Sequence, residues 1–180
     1  MDTVHAHTGR PRVSRSDHPS RPRKDQAAQM TLPHEEYKKM LSDIPIVCVD
    51  CLVVNENGEY LLVKRANSPL KGEYWVPGGR LYKNECILDA VRRKMREEIG
   101  TGVDVVTILG ILEFFDPASE YSEGGVHTIS IVHLVKPLSY DIKLDDQATD
   151  WGWFKELPEK LRIVPLPNSG PQFLGPRYTS

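Results

Sequence analysis

Residues 77–100, PGGRLYKNECILDAVRRKMREEIG, limit the possible folds of this chain more than any other stretch. A Pro-Gly-Gly loop closes the short apolar run YWV and leads through a polar link into a segment with helical periodicity. Set at about 100° per residue, Leu88, Val91, Met95 and Ile99 fall on one stripe that needs an apolar surface to lie against. Lys94, Glu97 and Glu98, spaced three and four residues apart, share a neighbouring polar face. Gly100 is the residue type that ends a helix in the left-handed conformation.

The rest of the chain supplies the opposing surface. HEEYKKML reads as a short helix and IVCVDCLVVN as a strand, with a hairpin turn from Asn55 to Gly58 into EYLLVKR. Beyond Gly100, VDVVTILGILEFFD and HTISIVHLV read as strands around the polar loop PASEYSEGG. KLDDQATDWGWF reads as a loop entering a strand, and KELPEKLR as a closing helix. Strands before, around and after one long helix predict an α/β sandwich, not a doubly wound sheet.

With 180 residues there is room for one well-buried core plus tails. Residues 1–29 are expected to form a disordered basic leader, since Arg10, Arg12, Arg15, Arg21, Arg23 and Lys24 stand among polar residues with almost nothing to bury. The folded domain is expected over 30–163, followed by a Pro/Gly-rich tail over 164–180. Met30 opens directly into the first helix and is an alternative start. A net charge of −2 gives no field for nucleic acid or anionic membrane, so neither is an expected partner. No run reaches the ~20 apolar residues of a membrane span, and the N-terminus lacks the apolar core of a signal peptide. A cytoplasmic protein is expected, and the cysteines agree. Cys48, Cys51 and Cys86 are odd in number, which argues for a reducing compartment. Cys48 and Cys51 form a C-x-x-C, but on a strand residues three apart point to opposite faces, so they read as packing thiols.

The order strand, Gly-Gly loop, Glu, helix and Arg-x-x-x-Glu-Glu-x-Gly resembles the signature of the Nudix hydrolases, G-x5-E-x7-R-E-U-x-E-E-x-G-U, with U apolar. Gly79, Glu85, Arg93, Met95, Glu97, Glu98 and Gly100 match it at the right spacings. Lys94 replaces the glutamate of the R-E pair, and Thr101 the final apolar residue. In isolation Glu97 and Glu98 would read as a solvated acidic pair. Within this frame they are candidate metal ligands, because Mg²⁺ takes oxygens, few from protein and the rest from water and phosphate. The resemblance implies an α/β/α sandwich with a mixed sheet and one long catalytic helix. It implies Mg²⁺, with Mn²⁺ possible, held by Gly78 or Gly79, Glu97 and Glu98, and a bracing ion pair of Glu85 with Arg93.

Over residues 32–160 the chain is most similar to the GDP-mannose mannosyl hydrolase branch, through IPIVCVDCLVVN, LVKRANSP, GEYWVPGGRLYKNE and DDQATDWGW. That branch also lacks a carboxylate at the Lys94 position and works with fewer metal ions. An ammonium beside Glu97 and Glu98 competes with a second Mg²⁺, so a one-metal site is expected. The likeness carries substrate contact to Asp50 and diphosphate binding to Arg65 and Arg80, whose planar forks suit phosphate oxygens. It carries metal ligation to Gln147. Ala148 stands where the branch has its general base, a histidine.

Attack on a sugar carbon needs a base to activate water. Asp145, Asp146 or Asp150 could take over, and Asp146 joins Arg93 and Glu97 as the expected catalytic set. Alternatively the loop is aligned one residue off, or the chemistry has moved to the diphosphate bond. His127 and His133, on one face of a strand, are weaker candidates for the base against a plain packing role. Trp75, Tyr74, Phe114, Phe115 and Tyr121 are candidates to stack on a nucleobase, against ordinary core packing. The expected activity is Mg²⁺-dependent release of nucleoside diphosphate and sugar from a small nucleotide substrate resembling GDP-mannose. A Nudix pyrophosphohydrolase is the alternative, and a Nudix-fold binding module that has lost catalysis is a third reading. The resemblance also implies a homodimer, with the leading helix and first strand at its interface.

Overall fold

The computed structural model describes residues 33–117, 124–161 and 163–165. Its elements run α1 (His34–Asp43), β1 (Ile46–Val53), β2 (Tyr60–Arg65), β3 (Tyr74–Trp75), β4 (Gly78–Arg80), α2 (Ile87–Glu98), β5 (Val103–Asp116), β6 (Val126–Pro137), β7 (Ala148–Phe154) and β8 (Ile163–Pro165). The leader, Met30, Tyr121 and residues 166–180 lie outside the described residues.

β1 is apolar apart from Asp50, so most of both faces needs cover, and the strand takes a place inside a sheet. It pairs with β4 antiparallel and with β6 parallel, in a five-stranded sheet ordered β4-β1-β6-β5-β8. A second sheet is ordered β3-β2-β7. The sandwich class with a mixed sheet is therefore present. Val49, Cys51 and Val53 project into one core with Ala90, Val91, Met95 and Ile99. Leu52 and Val54 join a second core with Trp75, Val76, Leu112, Val132 and Leu134. Alternation along a single strand thus feeds two cores. As the spacing predicted, Cys48 and Cys51 face opposite ways, Cys48 toward a cavity and Cys51 into the first core.

Several expectations are corrected. The turn at Asn55 forms, with Gly58 N–H donating to the Asn55 carbonyl at 3.1 Å, but no hairpin follows. After one bridge, Val54 to Tyr60, the strands part into different sheets, and β1 finds its longer partner in β6. The glycines expected as a loop are a short strand, β4, with Asp50 opposite Gly78 and Cys48 opposite Arg80. On α2, Leu88 is 43% exposed. The helix is turned so that Ala90, Val91, Met95 and the following Ile99 are buried, with Ile87 packed against them. KELPEKLR forms no helix among its described residues. Pro158 lacks an amide donor and restricts Leu157 before it, and a turn with Leu161 N–H on the Pro158 carbonyl at 2.9 Å takes the helix's place. β8 continues the sheet to Pro165, past the boundary at 163. No helix among the described residues is long and apolar enough to cross a membrane.

Candidate active site

The even-numbered residues of three adjacent strands form one wall of a cavity of about 380 Å³: Cys48 and Asp50 on β1, Thr128 and Ser130 on β6, Leu112 and Phe114 on β5. Arg65, Arg80, Gly78, Lys94, Glu98, Asp145 and Gln147 complete its polar side, and Trp75, whose ring lies 5.9 Å from that of Phe114, its aromatic side.

Gly78 is required by close approach. A Cβ there would overlap the Asp50 carboxylate and the Val49 carbonyl, both on the strand it pairs with. Held against β1, Gly78 donates its N–H to Glu98 Oε2 at 2.9 Å, which fixes the helix end to the strand. At Gly79 a Cβ would come within 2.7 Å of Lys94 Cε, so the second glycine leaves room for the lysine stem.

Glu85 and Arg93 form a two-pronged ion pair. Arg93 Nε donates to Glu85 Oε1 at 2.7 Å and Nη2 to Oε2 at 2.8 Å. The same guanidinium donates to the Arg80 carbonyl at 3.0 Å and to Glu97 Oε2 at 3.0 Å, and it lies 4.1 Å over the Tyr82 ring. Glu85 Oε2 also accepts from Tyr82 N–H at 3.1 Å. Burial would raise the Glu85 carboxyl, but the bonds and charge of Arg93 hold it below its ordinary value. One side chain therefore ties helix, link and β4 together.

Lys94 Nζ lies 2.7 Å from Glu98 Oε1 and 3.4 Å from Glu97 Oε2. Burial pulls the ammonium down, yet the two carboxylates reverse this and hold its pKa above normal. Burial pushes Glu98 up, with Lys94 and the Gly78 N–H opposing. Asp50, 8% exposed, is raised to about 6, first by burial, with Ser130 lowering it, Glu98 raising it and Arg65 lowering it. Burial and Asp50 push the Cys48 thiol to about 12, which removes it as a nucleophile.

The donor set sets limits on a metal. Among the described residues no three His, Cys, Asp or Glu side chains form a cluster able to hold an ion. Glu97, Glu98 and a glycine carbonyl are oxygen donors of the type Mg²⁺ takes, but by themselves they do not form a closed cage.

The other candidates divide between wall and periphery. Arg65 donates from Nε to the Pro69 carbonyl at 2.6 Å, and Arg80 lies 5.0 Å over Tyr37 and 5.3 Å over Tyr82. Gln147 accepts from Asn67 at 2.9 Å and donates to Asp146 at 2.9 Å. Asp146 itself is exposed and off the cavity wall, whereas Asp145 is on it. Asp150 is held by the Tyr74 hydroxyl at 2.7 Å, away from the cavity. His127, 3.0 Å from Glu113, and His133, wholly buried and bonded to the Ile131 carbonyl at 3.0 Å, are odd-numbered on β6 and face away from the cavity. Phe115 stacks on His127 at 4.3 Å outside it. Sequence reasoning missed Cys48, Thr128 and Ser130 as wall residues. Alternation from Asp50 would have found Cys48, but the two β6 residues depend on a parallel register that periodicity does not specify.

A glycine strand, a carboxylate helix anchored to it and a twin-arginine cavity define the class, a Nudix hydrolase. The NUDIX domain family model matches residues 45–165, and the chain belongs to that family. Among individual relatives, it is 36% identical over 115 residues to the low-salt glycan biosynthesis protein Agl8 of Haloferax volcanii, covering 64% of this chain and 69% of that protein. It is 33% identical over 110 residues to an ADP-ribose pyrophosphatase of Methanocaldococcus jannaschii, covering 61% of this chain and 62% of that one, less than two thirds of the relative's length. The fold superposes on a MutT Nudix hydrolase from Burkholderia pseudomallei with TM-score 0.56 and 28% identity, covering 71% of this chain and 92% of that structure.

Proposed function

We propose that this enzyme hydrolyses a nucleoside diphosphate sugar resembling GDP-mannose, releasing nucleoside diphosphate and free sugar. The observation that carries this reading is a single cavity lined both by charged side chains, Arg65, Arg80 and Asp50, and by neighbouring aromatic ones, Trp75 and Phe114. A diphosphate suits the first and a nucleobase the second. The relative named for glycan biosynthesis supports a sugar-bearing substrate.

Arg65 and Arg80 bind the diphosphate and stabilise the charge it gains as the bond from sugar carbon to β-phosphate oxygen breaks. The attacking water gives its proton to a carboxylate. Of the three aspartates considered for that task only Asp145 lines the cavity, so the role moves to it from Asp146. Asp50 positions the substrate opposite Arg65, and Arg93 acts indirectly, by holding β4 and Glu97 in place. When bound, Mg²⁺ or Mn²⁺ supplies neutralisation of the diphosphate, and Glu97, Glu98, Gln147 and a carbonyl of Gly78 or Gly79 are the residues that would hold it. A homodimer through α1 and β1 belongs to the same reading, supported by exposed Ile44 and Val47 near their junction.

The second reading, cleavage of the diphosphate bond itself, is favoured by Ala148 in place of a base and by the pyrophosphatase relative. A panel of GDP-mannose, GDP-glucose, ADP-ribose and nucleoside triphosphates with Mg²⁺, read by product identity, separates the two. Free sugar plus nucleoside diphosphate is expected, with Asp145→Asn lowering kcat by about 10²-fold or more. Sugar phosphate plus nucleoside monophosphate would establish the second reading. Binding without turnover would leave a binding module.

A further inference from the structure

Of the two departures from the family pattern, Lys94 is the one that lies among the glutamates of the helix. Its Nζ bridges Glu98 Oε1 at 2.7 Å and Glu97 Oε2 at 3.4 Å, and its side chain is only 15% exposed. The stem runs beside Gly79, where a Cβ would come within 2.7 Å of Cε, so the lysine lies between the glycine and the carboxylates. The oxygens it meets are already engaged. Glu98 Oε1 accepts from Lys94 and Oε2 from Gly78 N–H, while Glu97 Oε2 is shared with Arg93 at 3.0 Å. A divalent cation entering between these glutamates has to displace an ammonium that is largely enclosed and held at salt-bridge distance. Within this cluster the carboxylates of Glu85, Glu97 and Glu98 are met by two side-chain cations, Arg93 and Lys94, so most of the charge that would attract a metal is already paired.

We infer that Lys94 is a tethered counterion seated between Glu97 and Glu98 in place of a divalent cation, so that the free enzyme carries no preloaded metal on this face and a cation enters only with a diphosphate ligand. The first half rests on geometry alone. The second rests on the proposed nucleotide substrate. The ammonium supplies its charge permanently, without release to solvent, and a carboxylate at the same position would turn the face into a cation site by adding oxygens and removing the competitor.

The test is Mn²⁺ binding to the full chain without nucleotide, followed by the electron paramagnetic resonance signal of the free ion and by calorimetry. The wild type is expected to bind Mn²⁺ weakly and without a saturable stoichiometric site. Lys94→Glu is expected to create such a site and to tighten Mn²⁺ at least about tenfold, a change of about 1.4 kcal/mol. Lys94→Met, which removes the charge and keeps the stem, should move the same way by less, and Lys94→Arg should leave binding at the wild-type level. Adding GDP to the wild type should bring one equivalent of Mn²⁺ onto the protein beyond that bound to GDP in buffer. A stoichiometric Mn²⁺ site in the nucleotide-free wild type overturns the inference, as does a Lys94→Glu or Lys94→Met variant no tighter than wild type. The wild-type titration decides the matter even where a variant fails to fold. No turnover of any nucleotide sugar would sink the proposed substrate and leave the nucleotide-free titrations standing.

Discussion

Asp50 is squeezed between opposing demands. Packed under Gly78 and only 8% exposed, its carboxyl is raised to about 6, chiefly by burial, although the Ser130 hydroxyl bonds it and Arg65 attracts it. In the unfolded chain the same group titrates near 3.9. Between those values the folded protein binds the extra proton, so the stability tied to this group is complete below about 4 and is lost as pH rises through 6. At pH 8 the buried carboxylate costs on the order of 3 kcal/mol. Asp50→Asn keeps the shape and drops the charge, so it should stabilise the free protein at pH 8 by about 1–3 kcal/mol and have little effect near pH 4, while weakening substrate binding. Urea unfolding at both pH values checks this, and an equal gain at both would mean that burial of charge is not the cause. Such a cost fits a residue kept for its ligand and not for the fold.

The helix α2 shows how far a pattern in the residues carries. Its existence, its glycine stop and the grouping of Lys94, Glu97 and Glu98 on one face were all legible, because a 3.6-residue period fixes angular position whatever packs against it. Its rotation was not fully legible. Leu88 belongs to the apolar stripe by spacing yet is 43% exposed, while Met95 is wholly buried. Apolarity alone does not say which edge of a stripe the core reaches. Leu88→Ala should therefore change the unfolding free energy by no more than about 0.5 kcal/mol, whereas Met95→Ala should lose about 2–4 kcal/mol through its cavity. Equal losses in chemical denaturation would place Leu88 in a contact outside the described residues. The same limit explains KELPEKLR, where helical spacing was overruled by a single proline. It also explains the loop before β7, where Asp145, not Asp146, reaches the cavity. That outcome depends on Arg65 pairing with Ala148 across a bulge, and no local pattern encodes it.

At the scale of the whole molecule the longer strands were legible but their division into two sheets was not. Alternation says that a strand has two faces, and it is silent on partners as distant as β1 and β6, paired in parallel from Ile46 with Thr128 to Val53 with Val135. The far edge of that sheet was likewise hidden in a tail without periodicity. There β8 pairs with β5, with Leu112 opposite Ile163 and Gly110 opposite Pro165. Gly110 makes this possible, since a Cβ would overlap the Val164 carbonyl and meet Ile163 Cγ2 at 2.8 Å. β8 does two things. It covers the Gly110 to Leu112 stretch of the β5 edge, and it packs Ile163 against the core that includes Leu112, itself on the cavity wall. A chain ended at Leu161 should lose about 1–2 kcal/mol from that burial and associate beyond the size of the full chain as the open edge pairs with other copies. Gly110→Ala tests the same contact with the tail intact, and should lower the denaturation midpoint in the same direction. Light scattering across a concentration series, together with urea unfolding, reads both effects. A shortened chain with unchanged size and midpoint would show that β8 is dispensable and that the β5 edge is protected some other way.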